Sequence, residues 1–368
     1  MLKGLYIEDK SPLRASLVRL GNTCRMRAVI EKAKAGKPVT LGFLGGSITA
    51  GSGAGEGKSY VKCVRDYWIE KFPNSEITCV NAGIGATGSI LGVFRMDKDV
   101  LALKPDVLVI DHSVNDNEDE ERYPGSTKET YECVIRRGLI SGAAVVPLCI
   151  CSSNGHSQRN MNLELAEHYD LPFVSMPDGI YDPLIKSGKY EWRDYSGDSV
   201  HPNAVGHAML AELLCHYFEA VAKNENAYDE YVVPEPHFGA SFMDTVMYDG
   251  VSLIPESLGG FCVGDTDFYQ FKGGWVAEDK GERMIFTLKD CKNIILAFVK
   301  DPAENAGSAT VTADGKKFEI NTFFKNGWGR YAQTLTIFSS DIAKDVTVTV
   351  TPNDEGKRFA LLRVMAAK

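Results

Sequence analysis

Lys104-Pro105-Asp106-Val107-Leu108-Val109-Ile110-Asp111-His112-Ser113-Val114-Asn115-Asp116 is the stretch on which the fold turns. Residues 107–110 are continuously apolar and follow a proline-bearing turn. A strand with one wetted face alternates polar and apolar residues. One buried on both faces reads as an unbroken apolar run, the habit of parallel sheets covered by helices. The polar cluster that follows then falls at the carboxyl end of the strand, where open α/β sheets place their sites.

The same grammar extends outward. Upstream, 39–44 and 77–81 read as strands, and 25–35 and 59–72 as helices, the first stopped by Gly36-Lys37-Pro38. Downstream come a helix over 127–141, a strand over 143–151, a helix over 161–168 and a short strand over 172–175. Residues 203–223 read as a long closing helix with Pro202 at its first turn. Alternation of this kind implies a three-layer α/β/α domain on a parallel sheet, assigned to 1–223 with an N-terminal extension over 1–23.

Residues 224–237 are polar and proline-bearing and read as a linker. Over 238–368 the character changes. Runs at 283–288, 294–299, 309–313, 333–338 and 345–351 are rich in Val, Ile, Thr and Phe, divided by turn residues such as Asp314-Gly315. That pattern implies an all-β jelly roll or β-sandwich.

Composition narrows the function. The 368 residues fit about two domains. With 40 Lys and Arg against 49 Asp and Glu, the net charge of −9 argues against nucleic acid and against anionic membranes. No run reaches the ~18–20 apolar residues of a membrane span, and residues 1–10 lack the apolar core of a secretory signal. The nine cysteines are scattered, with no C-x-x-C pair and no zinc spacing. No metal is expected, and the reducing cytoplasm is the expected compartment; a secreted form with its signal removed is the alternative.

Four blocks carry candidate chemistry: Gly45-Gly46-Ser47, the glycine-rich 81–89, the Asn115-Asp116 pair and Asp198-Ser199-Val200-His201-Pro202. Each alone has an ordinary reading as a turn, a loop or a helix start. His112, three residues before Asn115, is the other histidine of interest. Residues 52–59 resemble a phosphate loop but carry Ser52 where that motif needs glycine, so they read as a rim beside Ser47. The acids of 116–121 lack calcium-loop spacing and read as a solvated loop.

Taken in order, the blocks resemble the SGNH (GDSL-like) hydrolases over most of residues 39–210. The resemblance implies an SGNH-hydrolase domain with Ser47 as nucleophile, His201 as base and Asp198 orienting that base. It also implies an oxyanion hole from the N–H of Ser47, the N–H of Gly85 or Ala86, and the Asn115 amide, with no cofactor. The chemistry agrees. Serine attack on an ester needs a base active near neutral pH, and a carboxylate three residues away can fold back onto one ring nitrogen.

Aromatics suggest the substrate. Tyr190, Trp192 and Tyr195 lie just upstream of Asp198, and Trp275 and Trp328 lie in the β region. Flat rings stack on sugar faces or else fill cores. The two-domain layout resembles bacterial carbohydrate acetylesterases of the acetyl-mannan and acetyl-xylan type, whose C-terminal β module is carbohydrate-binding-like. The implied substrate is an acetylated manno- or xylo-oligosaccharide. A lysophospholipase or thioesterase, and a non-catalytic glycan-binding protein, are the alternatives. An edge strand or the β domain offers a surface for a homodimer.

Overall fold

The computed structural model describes residues 10–224 and 230–368, so residues 1–9 of the expected extension and 225–229 of the expected linker lie outside the described residues. The chain divides into two units, Met1–Ala240 and Ser241–Lys368.

The first unit is built on six strands: β1 (Leu17–Arg19), β2 (Val39–Gly45), β3 (Ile77–Gly83), β4 (Val107–Asp111), β5 (Ala144–Cys149) and β6 (Phe173–Ser175). Their order is β1-β6-β5-β4-β2-β3. The pairs among β2–β6 are parallel, while β1, from the N-terminal extension, adds an antiparallel edge on β6. All five residues of β4 are buried, as the apolar run requires. Helices Cys24–Lys34, Tyr60–Lys71 and Ala204–Lys223 pack together on one face, and Ser89–Asp99 packs with Lys128–Ile140. Between sheet and helices lie Phe43, Tyr60, Trp68, Val109, Val146 and Leu214, all buried. Each such side chain contributes about 1.5–3 kcal/mol by leaving water.

Two local expectations change. The acids of 116–121 form part of a helix, Ser113–Arg122, because they serve as caps and ties. Buried Asp116 accepts from the Ser89 N–H, and Glu120 accepts from the Gly125 and Thr127 N–H groups. At the closing helix, the cap is Asn203, whose side chain accepts from Val205 and Gly206. Pro202 therefore stands outside that helix, where it forms an isolated bridge with Ser196.

The chain leaves β2 towards β3 and leaves β4 towards β5, so the sheet changes winding direction between β2 and β4. Gly45, the last residue of β2, is in register with Asp111, the last of β4. Their carboxyl ends frame the crevice that such a reversal opens.

The second unit is an antiparallel β-sandwich: β7 (Thr245–Tyr248), β8 (Cys262–Gly264), β9 (Gly274–Ala277), β10 (Met284–Lys300), β11 (Ser308–Ala313), β12 (Lys316–Asn321), β13 (Tyr331–Pro352) and β14 (Phe359–Ala367). The runs at 283–288 and 294–299 belong to one long strand, and 333–338 and 345–351 to another. Bulges between Leu288 and Cys291, with Asp290 at φ 55°, bend the strand without ending it. Asp314 and Gly315, at φ 49° and 73°, make the tight turn of the β11–β12 hairpin. Trp275 is fully buried in this core with Phe286, Leu296 and Val348, which removes it from the aromatics available to a sugar.

Among the described residues no helix is long and apolar enough to cross a membrane. No group of three or more His, Cys, Asp and Glu side chains among them could hold a metal ion.

Candidate active site

Ser47 opens a one-turn helix, Ser47–Ala50, directly after β2. The turn fits because its neighbours are small. A Cβ on Gly83 would lie 2.2 Å from the Ala50 nitrogen, so only glycine lets the end of β3 pass beneath the turn. Arg95, fully buried, reaches up from helix Ser89–Asp99 and donates to the carbonyls of Ala82 and Gly45, tying the ends of β3 and β2 together.

His201 comes from the segment before the closing helix. Its Nε2 lies 2.9 Å from Ser47 Oγ, and its Nδ1 lies 2.8 Å from Asp198 Oδ2. Asp198 Oδ1 also accepts from the backbone N–H groups of Val200 and His201. Partial burial pushes the Asp198 carboxyl up, but the His201 N–H, its imidazole and the Val200 N–H outweigh that and hold it below the usual carboxylate range. The ionised carboxylate can only accept, so the ring proton belongs on Nδ1 and the Nε2 lone pair faces the serine hydroxyl.

The remaining candidates surround Ser47. A Cβ on Gly46 would fall 2.2 Å from Asn115 Oδ1, so the Asn115 carboxamide rests against the backbone that enters the serine turn. A Cβ on Gly85 would lie 3.9 Å from Ser47 Cβ, so Gly85 stands beside the serine. Ala86 adopts φ 55°, an unusual conformation for a residue other than glycine. Together the atoms form a serine–imidazole–carboxylate chain with polar groups beside it, an arrangement able to activate a hydroxyl and to receive a developing negative charge.

The aromatic candidates separate. Tyr195 is 2% exposed and packs in the core, so it has no face to offer a ligand. Tyr190 and Trp192 are half-buried against that core, and the indole N–H of Trp192 donates to the Asp198 carbonyl. In the second unit Trp328 is 71% exposed and stacks on Tyr331, with ring centroids 5.3 Å apart. His112 is buried, its pKa pulled down to about 3 by that burial, and it stays neutral.

Sequence reasoning missed the layer under the serine turn. Thr49 Oγ1 lies 2.8 Å from Tyr60 Oη and 3.2 Å from Asp111 Oδ2, and burial pushes the Asp111 carboxyl up to about 7. The Tyr60 N–H donates to His207 Nδ1, and His207 Nε2 donates to the Ser52 carbonyl, anchoring the expected rim. His207 signalled nothing beyond a helix position. Only the fold brings it to the rim.

Residues 43–209 match the GDSL-like lipase/acylhydrolase family. Two solved structures of a two-domain esterase active on acetylated mannans, one co-crystallised with mannopentaose, superpose with a TM-score of 0.86 at 28% identity, over 97% of this chain and 98% of theirs. No curated protein sequence matches the chain. The matched segment holds Ser47, Asn115, Asp198 and His201. Residues 43–209 thus carry a GDSL-like lipase/acylhydrolase domain, and the protein is a carboxylic ester hydrolase.

Proposed function

We propose that the chain is a serine esterase that removes O-acetyl groups from manno- or xylo-oligosaccharides through an acyl-enzyme on Ser47. The observation that carries the mechanism is the hydrogen-bonded chain from Ser47 through His201 to Asp198. As Ser47 Oγ attacks the acetyl carbonyl, His201 Nε2 takes its proton. Asp198 holds the ring in the required tautomer and stabilises the imidazolium. The oxyanion is received by the N–H of Ser47, the N–H of Gly85 or Ala86, and the Asn115 amide, each donor contributing about 3–4 kcal/mol. His201 then protonates the departing sugar oxygen. It next deprotonates the water that attacks the acyl-enzyme, releasing acetate and restoring Ser47.

The choice of substrate is supported by the full-length likeness to an esterase active on acetylated mannans, which favours manno-oligosaccharides. The exposed Trp328 is the aromatic we assign to glycan contact. A net charge of −9 suits a neutral ligand.

The test is acetate release from acetylated manno- and xylo-oligosaccharides, with aryl esters from acetate to octanoate alongside and Ser47→Ala as control. Fast, Ser47-dependent release with activity falling beyond acetyl is the expected result. A preference for long acyl chains overturns the carbohydrate reading in favour of a lipid or thioester hydrolase. Undiminished hydrolysis by Ser47→Ala removes Ser47 from the reaction.

A further inference from the structure

Two side-chain donors converge on the segment 198–201. Ser196 Oγ lies 2.9 Å from the Asp198 carbonyl and 2.5 Å from the His201 carbonyl. A hydroxyl has one proton, so it can donate to only one of the two. The shorter contact assigns it to His201. Trp192 Nε1, 2.5 Å from the Asp198 carbonyl oxygen, supplies the donor that Ser196 then lacks. The segment's other ties are the bridge between Ser196 and Pro202, the Ser153 N–H donating to the Ser199 carbonyl, the Asp198 N–H donating to Ser196 Oγ, and the Val200 and His201 N–H groups donating to Asp198 Oδ1.

Trp192 is itself fixed in direction. It opens the short helix Trp192–Tyr195, whose start is closed by a reciprocal cap between Glu191 and Asp194. Its ring rests on buried Tyr195, with centroids 5.1 Å apart, and meets Tyr181 edge-on at 6.3 Å. Packing therefore sets the ring plane, and the ring plane aims the N–H at Asp198.

We propose that Trp192 is a positioning residue for ester hydrolysis: its indole N–H holds the Asp198 carbonyl, and through it the carboxylate and imidazole, in line with Ser47. The proposal rests on the roles given above to Asp198 and His201. It also changes the use of the most prominent aromatic near the site. The polar edge that a sugar-stacking tryptophan would offer to hydroxyls is engaged within the protein.

Trp192→Phe tests this, since it keeps an aromatic ring against Tyr195 and deletes the N–H. Kinetics are measured on an aryl acetate and on acetylated manno-oligosaccharide, in the wild-type and Asp198→Ala backgrounds, with folding checked by circular dichroism and melting. The expected result is a fall in kcat of about 10–100-fold on both substrates, with KM within about twofold, as for a catalytic group displaced by a fraction of an ångström. In the Asp198→Ala background, which keeps the carbonyl but lacks the carboxylate, the same change should cost no more than about twofold, because holding the carbonyl matters through the carboxylate it positions. A merely structural loss would persist in that background. Three outcomes overturn the proposal: kcat unchanged, KM raised on the oligosaccharide alone (a stacking role), or the full loss repeated without Asp198. Failure of the underlying mechanism shows separately, as undiminished turnover by His201→Ala.

Discussion

Replacing Gly46 with alanine should slow the site without replacing any of its functional side chains. The added Cβ would sit 2.2 Å from Asn115 Oδ1, 3.3 Å from the Thr87 carbonyl oxygen and 3.4 Å from Asn115 Cγ. Heavy atoms in contact need about 3.5 Å, so the carboxamide must retreat by about 1 Å. The φ of Gly46, −90°, is one that alanine also adopts. Its hydrogen bonds, from its N–H to the Asp111 carbonyl and from the Ala50 N–H to its own carbonyl, can persist. A donor displaced by about 1 Å loses most of what it gives a developing oxyanion, so kcat should fall about 100-fold, or about 2.7 kcal/mol, with KM little changed. The assay is steady-state hydrolysis of an aryl acetate, with thermal melting as the folding control. The decisive comparison is Gly46→Ala combined with Asn115→Ala. Truncating Asn115 makes room for the methyl group, so the double variant should be no slower than Asn115→Ala alone. Wild-type turnover by Gly46→Ala, or a double variant slower by the product of the two losses, would refute the reasoning.

Two further outcomes follow from local geometry. Ala86 sits at φ 55°, so Ala86→Gly should change stability by less than about 1 kcal/mol, relief of strain offsetting the freer unfolded chain. Ala86→Val should destabilise by more than about 1 kcal/mol in urea titration, because a β-branched side chain tolerates that conformation poorly; equal stability of the two variants would contradict a left-handed residue here. Glu132 accepts from the N–H groups of His237, Phe238 and Gly239 and from the Tyr169 hydroxyl. Burial pushes its carboxyl up, but the His237 N–H, the Tyr169 hydroxyl and the other two N–H groups outweigh this and lower it. A lowered folded-state value means stability that is present above the unfolded value of about 4.3 and lost as pH falls through the folded one. Glu132→Gln should therefore lower stability by about 1.5–3 kcal/mol at pH 7, with the gap to wild type closing below about pH 4. A gap independent of pH would show that the charge is not what holds 237–239.

What the sequence reveals follows what its physics repeats. Strands such as those holding 107–110 and 144–149 announce themselves because burial on both faces favours an unbroken apolar run. Ser47, Asn115, Asp198 and His201 are visible because each stands in a short block at the end of a predicted strand or the start of a helix. The helix Ser113–Arg122 is hidden, since Asn115 to Arg122 are all polar or charged and the reason for helicity lies in partners elsewhere, Ser89 and Thr127. The two long strands of the sandwich read as four short ones because Lys289-Asp290 and Ser339–Lys344 look like breaks and prove to be bulges and bends. Tyr195 and Trp192 illustrate a further limit. Three residues apart in one aromatic loop, one fills the core and the other donates to the Asp198 carbonyl, a division set by the Trp192–Tyr195 helix turn that spacing alone does not disclose.

The hydrogen bond between Ser47 and His201 closes a loop of 154 residues, most of the first unit. The contact proposed to be catalytic is thus one of the most non-local among the described residues, and no fragment ending before His201 can make it. During synthesis the nucleophile is completed long before the base exists, so the nascent chain carries an inert serine until nearly the whole unit has emerged. On refolding, contacts of such span form late, because their loop-closure entropy must be met by structure already in place. Catalytic activity in this protein is consequently a clock for the last stage of assembly. Its recovery should trail the return of helical and sheet signal, and its loss should precede theirs when the segment 192–203 loosens first.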